Sequence, residues 1–153
     1  MSDQSQRRPD FATTNGLDQL RWLQLHDSDQ IPSIRRLLGM RFTEVEPGRV
    51  VMELSTEPDF ANPHGTVHGG VIATLLDSVM GCAVHTELAA GVGYTTLELK
   101  VNYLRAVGLT GERLIGEGTT IHVGRRTAVA EGTVRNGAGT LVGHATTTCL
   151  ILS

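Results

Sequence analysis

The apolar positions along this 153-residue chain change their spacing several times. Between Asn15 and Leu25, Leu17, Leu20 and Leu23 recur along one side of a short helix that Asn15 is placed to cap. Pro32 and Ser33 open a second helical turn that Gly39 stops. From residue 41 the spacing falls to two. Val50, Met52 and Leu54 alternate with Val51, Glu53 and Ser55, and segments 41–46 and 49–56 flank the turn pair Pro47-Gly48, which predicts a hairpin. A polar loop from Glu57 to Gly70 follows. Helical spacing then returns between Gly69 and Glu87, where Val71, Ile72, Leu75, Leu76, Val79, Met80 and Ala83 form a broad apolar face.

Beyond Gly91 the period is two to the end of the chain. Leu97, Leu99, Val101 and Tyr103 alternate with Glu98, Lys100 and Asn102, predicting a strand with one buried face. Gly108 to Gly111 reads as a turn. Strands at 112–123 and 127–135 flank Gly124-Arg125-Arg126, and Asn136-Gly137 leads into a last strand from about Thr140 to Leu152. Two strands, one long helix and four strands following one another through hairpin-like turns make an α+β order. The simplest packing is one antiparallel sheet curled around the helix. Residues 1–38 read as a loose tail, Met1 to Asp10, followed by the two short helices, and 39–153 as the main unit. One helix covers only part of six strands, which leaves an edge or face for self-association.

Composition excludes more than it selects. Hydrophobic residues at 40% and charged residues at 19% are ordinary for a globular chain. A net charge of −3 gives no case for nucleic acid or an acidic membrane surface. Met1 to Asp10 lacks the apolar stretch of a signal peptide, and the apolar run starting at Val71 meets Asp77 after six residues, so no membrane span is expected. Cys82 and Cys149 match no metal or redox spacing, and a cytoplasmic, disulfide-free protein is the expectation. The 18 glycines have no fixed period and read as turn and close-packing positions.

Candidate chemistry gathers in Asn62-Pro63-His64-Gly65-Thr66-Val67-His68-Gly69-Gly70 and the helix after it. At about 100° per residue, Asp77 lies about 240° around from Val71, outside the apolar arc. Its flank is small (Ala73, Thr74, Ser78, Gly81), and no Lys or Arg occurs between Arg49 and Lys100. A carboxylate beside the centre of a sheet needs compensation for its desolvation, which marks it as a functional candidate. Gly69 and Gly70 open the helix, where free N–H groups and the positive dipole end can polarise a carbonyl. His64 and His68 with Asp77 offer a possible metal set. Pro63 and Gly65 prevent the two histidines from sharing a helix face, and no cysteine is near, so no metal is expected.

Taken together, Asn62-(x5)-His68-Gly69-Gly70-(x6)-Asp77-(x3)-Gly81 resembles the signature of hot-dog acyl-CoA thioesterases of the phenylacetate-degradation (PaaI-like) and 4-hydroxybenzoyl-CoA thioesterase type. The resemblance runs from about Gly39 to the C-terminus, through Val101-Asn102-Tyr103-Leu104-Arg105 and Val123-Gly124-Arg125-Arg126. It implies a sheet wrapped around one helix and hydrolysis of an acyl-CoA to acid and CoA. Asp77 matches the nucleophile or general base, and Gly69 the glycine whose N–H polarises the thioester. Asn62 matches a residue orienting the carboxylate or water, and His68 one that holds the loop. Thr96, or Thr95 beside it, matches a position that holds the attacking water. The resemblance also implies a homodimer or homotetramer in which Asp77 faces the Gly69 loop of another chain. A thioester is already activated, so no cofactor is expected beyond the CoA of the substrate. Gly70 in the loop and Arg105, Arg125 and Arg126 are candidates for substrate contacts, the arginines for CoA phosphates. Two rival readings are a non-catalytic acyl-CoA binding module on the same fold and a hot-dog enoyl-CoA hydratase. The first needs no carboxylate beside the thioester. The second calls for a paired Asp and His in its own motif, which is absent here.

Overall fold

The computed structural model of the protein describes residues 7–26 and 31–153; the expected loose tail lies outside the described residues as far as residue 6. Helix α1, Gly16–Leu25, starts where expected: the Asn15 side chain accepts from the Asp18 N–H. The single turn α2, Ile34–Leu37, is capped by Ser33 and followed by Gly39 at φ +66°. Strands β1, Arg41–Glu46, and β2, Arg49–Ser55, form the expected hairpin about Gly48. Helix α3, Gly69–Thr86, stops one residue short of the expected span. The polar loop before it also holds an unforeseen 3₁₀ turn, Pro58–Phe60. The remaining strands are β3, Gly93–Tyr103, β4, Arg113–Val123, β5, Thr127–Asn136, and β6, Leu141–Leu152.

All six strands join one antiparallel sheet in the order β1-β2-β4-β5-β6-β3. This corrects the expectation of four successive hairpins. Strand β3 sits at the far edge against β6, and the chain crosses back through 104–112 to place β4 beside β2. Hydrogen bonds Thr56 N to Glu112 O (2.9 Å) and Val67 N to Val107 O (2.9 Å) fix that crossing. The glycines at 108 and 111 mark a change of direction, and a glycine turn cannot specify which strand the chain meets next.

A second correction concerns β3. It begins at Gly93, and its register against β6 shifts by one residue between Thr96 and Glu98, leaving Leu97 as an extra, exposed residue (58% accessible). Strict alternation would bury Leu97 with Leu99. The bulge instead puts Tyr94 and Thr96 on the same inner face as Leu99 and Val101, opposite Cys149, Thr147 and Ala145 of β6.

Helix α3 lies in the concave face of the sheet. Leu75, Leu76, Val79, Met80, Ala83 and Val84 are fully buried against Val50, Leu114 and Val134. With 18 residues and a mean hydropathy of 1.3, α3 is apolar enough to cross a membrane by length and composition; here that apolarity serves the core. The sheet accepts the helix because glycines floor the groove. A Cβ on Gly118 would stand 2.4 Å from the Val79 carbonyl, one on Gly116 2.8 Å from Leu75, and one on Gly132 2.9 Å from Met80. Helix α1 docks across the C-terminal end of α3. Gly16 donates to Leu88 O (3.0 Å), and Leu20 enters the same core.

Gly118 meets helix backbone rather than a movable side chain, so Gly118→Ala has no side-chain rotation to relieve it. Urea unfolding should show a loss of about 3 kcal/mol. An unchanged midpoint would mean that the helix seat has slack.

Candidate active site

The loop before α3 is organised around Asn62. Its Oδ1 accepts from the N–H groups of His64 (3.0 Å) and Thr66 (3.1 Å), while Nδ2 donates to Thr66 Oγ1 (2.9 Å). A bridge between Ala61 and Val67 closes the loop, and Gly65 takes φ +79° within it. Asn62 therefore spends its side chain on loop geometry within its own chain. His68 caps α3: its Nδ1 accepts from Gly70 N–H at 2.8 Å, so the ring proton of the neutral imidazole sits on Nε2. Of the two glycine N–H groups at this helix start, only that of Gly69 is left without an acceptor among the described residues.

Tyr103, a residue that the pattern reading treated only as a strand position, secures Gly69. Its hydroxyl donates to Gly69 O at 2.8 Å, and its ring lies 3.0 Å from where a Gly69 Cβ would be. Only glycine fits under that ring. A cleft of about 310 Å³ opens here, lined by Asn62, Val67, Gly69, Ile72, Tyr103 and Arg105.

Asp77 lies elsewhere. It is half-buried on α3, where Thr96 Oγ1 donates to its Oδ1 at 2.9 Å. The bulge at Leu97 is what turns Thr96 inward; Thr95 points outward and is exposed. Among the described residues Asp77 has no cationic partner, and no three His, Cys, Asp or Glu side chains gather as a metal site. Eight residues of unbroken helix separate Gly69 from Asp77, about 12 Å along the axis. Within one chain these two groups cannot act on the same carbonyl.

The arginines divide the same way. Arg105 borders the Gly69 cleft. Arg125 and Arg126 are exposed in the β4–β5 turn, two strands from Thr96 along the row Thr96–Cys149–Ala128. The two groups stand roughly 20 Å apart along the strands.

A family model described as the thioesterase superfamily matches residues 64–143. The chain belongs to the thioesterase superfamily. Human acyl-coenzyme A thioesterase 13 is 29% identical to it over 92 residues, covering 60% of this chain and 62% of that protein. A phenylacetic acid degradation-related protein of Ralstonia eutropha superposes with a TM-score of 0.76 at 28% identity, covering 89% of this chain and 99% of that one. A Streptococcus mutans protein solved with acetyl CoA superposes with a TM-score of 0.72 at 29% identity, covering 81% and 94%. The sheet and central helix are thus those of a PaaI-like hot-dog thioesterase fold, as the resemblance implied. The chain spans less than two thirds of the length of several curated relatives that it matches: 66%, 64% and 50%.

In this superfamily member Cys82 lies one turn beyond Asp77. Burial, and then the Asp77 carboxylate, push its thiol up to about 12. Burial also pushes Cys149 up. A raised thiol pKa keeps the neutral form at pH 8, so Cys82 should be alkylated by iodoacetamide on the order of 10³-fold more slowly in the folded chain than in urea. Rapid alkylation of the native protein at Cys82 would show a reactive thiolate beside Asp77 instead.

Proposed function

We propose that the protein hydrolyses acyl-CoA thioesters at sites shared between two copies of the chain. The observation that carries the proposal is the pairing of Asp77 with Thr96, about 12 Å along one helix from the Gly69 N–H that a thioester carbonyl would need. A second copy removes the conflict if its helix start meets this chain's Asp77. The free edge of β3 supports such an assembly, because it exposes Leu97, Tyr103 (51%) and Leu104 (53%).

The chemistry follows from the groups present. Thr96 orients Asp77 Oδ1 and leaves Oδ2 to act. Oδ2 attacks the thioester carbon to give a mixed anhydride, or takes a proton from a water that attacks instead. In either route the carbonyl oxygen gains negative charge and accepts from the N–H of Gly69 of the partner subunit. Collapse of the tetrahedral species expels CoA thiolate, which is protonated from solvent. Asn62 and His68 hold the loop that presents Gly69. Sharing the site would also bring Arg105 of the partner subunit towards Arg125 and Arg126, a cationic mouth suited to the phosphates of CoA. No step requires a metal.

Asp77→Asn keeps the Thr96 hydrogen bond and removes the charge, so kcat on a small acyl-CoA panel, read by thiol release, should fall by on the order of 10² or more with the thermal transition unchanged. Wild-type turnover in that variant would remove Asp77 from the mechanism. EDTA should leave wild-type activity intact, and a loss restored by zinc or manganese would overturn the metal-free route.

Sharing is tested by complementation. Asp77→Ala and Asn62→Ala, each first shown to be impaired, are mixed and allowed to exchange subunits. In a mixed dimer one site collects both lesions and the other none, so activity returns. A site built within one chain keeps one lesion everywhere and recovers nothing. No recovery despite demonstrated exchange, or a fully active monomer, would rule out the shared site.

A further inference from the structure

Helix α1 and the residues before it lie outside the stretch that matches the superfamily, yet they wall a second cavity. Its volume is about 240 Å³, and Gln19, Trp22, Leu23, Cys82, His85 and Tyr94 line it. It begins just beyond the Asp77–Thr96 pair. Tyr94 is the next inward residue before Thr96 on β3 and packs over Gly81, where a Cβ would stand 2.5 Å from its hydroxyl. On α3, Asp77, Gly81 and His85 form one row at intervals of four. The glycine in the middle of that row leaves room where a side chain would fill the way from Asp77 to His85.

The far end of the cavity is polar and pre-aligned. Gln19 Nε2 donates to Thr14 O at 2.6 Å, which turns Oε1 towards His85 Nε2 at 3.3 Å. His85 therefore carries its proton on Nε2, and its Nδ1 is buried without a partner. Burial holds the imidazole below its usual pKa, so the ring is neutral. A distance of 3.3 Å is at the long limit for an N–H···O bond. A hydroxyl arriving there can donate to Gln19 Oε1 and accept from His85 Nε2–H. The remaining walls, Trp22, Leu23 and Tyr94, are apolar or aromatic.

Resting on the hydrolase reading above, we propose that this cavity receives the distal part of the acyl group, and that Gln19 and His85 select an acyl chain carrying a hydroxyl at its far end. The distance from Asp77 to His85 sets the length. It is about 12 Å along the helix, which an extended chain of about ten atoms spans. Helix α1 is then the specificity wall of the site, and Trp22 closes its side.

The chain's one tryptophan lines the cavity, so occupancy can be read without turnover. The probes are hydrolysis-resistant thioethers: S-methyl-CoA, S-decyl-CoA and S-(ω-hydroxydecyl)-CoA. The two long probes should change Trp22 emission and S-methyl-CoA should not. The hydroxylated probe should bind about fivefold more tightly than S-decyl-CoA, the worth of one net hydrogen bond. Gln19→Leu should abolish that ratio while leaving kcat/KM for acetyl-CoA within about twofold of wild type, because a two-carbon acyl group does not reach Gln19. Equal response to S-methyl-CoA, no preference for the hydroxyl in the wild type, or a preference that survives Gln19→Leu each overturns the proposal. These outcomes are separate from the fate of the hydrolase reading. A protein that hydrolyses acyl-CoA with a silent Trp22 loses only the cavity assignment. One that binds the long probes as described but cleaves no thioester loses the hydrolase function and keeps the cavity.

Discussion

Backbone-to-backbone contact between α3 and the floor of the sheet sets the position of every functional group described above. Gly118 and Gly116 on β4 and Gly132 on β5 carry no side chain where Val79, Leu75 and Met80 press down. A helix seated this close has its rotation fixed by contact rather than by side chains that can repack. Once Leu75, Leu76, Val79 and Met80 face inward, Asp77 must emerge beside β3 and Gly69 must meet Tyr103. The same fixed seat presents Cys82 and His85 to α1.

The edge strand supplies the complementary half. Strand β3 carries both side chains that touch the helix's polar groups, Thr96 at Asp77 and Tyr103 at Gly69. A regular strand cannot place 96 and 103 on one face, since they are an odd number of residues apart. The extra residue at Leu97 makes the parity work. Bulging also leaves Leu97 on the outer side of the sheet edge, next to the surface on which the proposed partner packs. One local irregularity thus serves the carboxylate, the helix start and the assembly edge together.

Distance along a rigid rod gives the single chain its incompleteness. An α-helix offers no way to bring its first turn and its third turn to one small reacting group. Asp77 has its orienting partner, Gly69 has its anchor, and the two remain about 12 Å apart. The incompleteness follows from helix geometry and not from any particular side chain. The separation of Arg105 from Arg125 and Arg126 follows the same division of the molecule into two ends.

The sequence by itself determined the elements whose signals are local. The caps at Asn15 and Ser33, the turn at Gly48 and the span of α3 follow from neighbouring residues, as does the concentration of chemistry between Asn62 and Asp77. Helix periodicity alone placed Asp77 off the apolar face. The strand order, the bulge and the roles of Tyr103, Gln19 and His85 were decided only by the tertiary structure. Each depends on residues far apart in the chain: Tyr103 meets Gly69 across 34 positions and His85 meets Gln19 across 66. Period-two alternation records which faces alternate but carries no mark of an inserted residue, and a glycine turn does not name the strand that follows it. Long-range pairing is fixed by the packing of the whole core, and for that reason the hydrogen bond between Thr96 and Asp77, expected from resemblance alone, acquires its physical cause only in the folded chain.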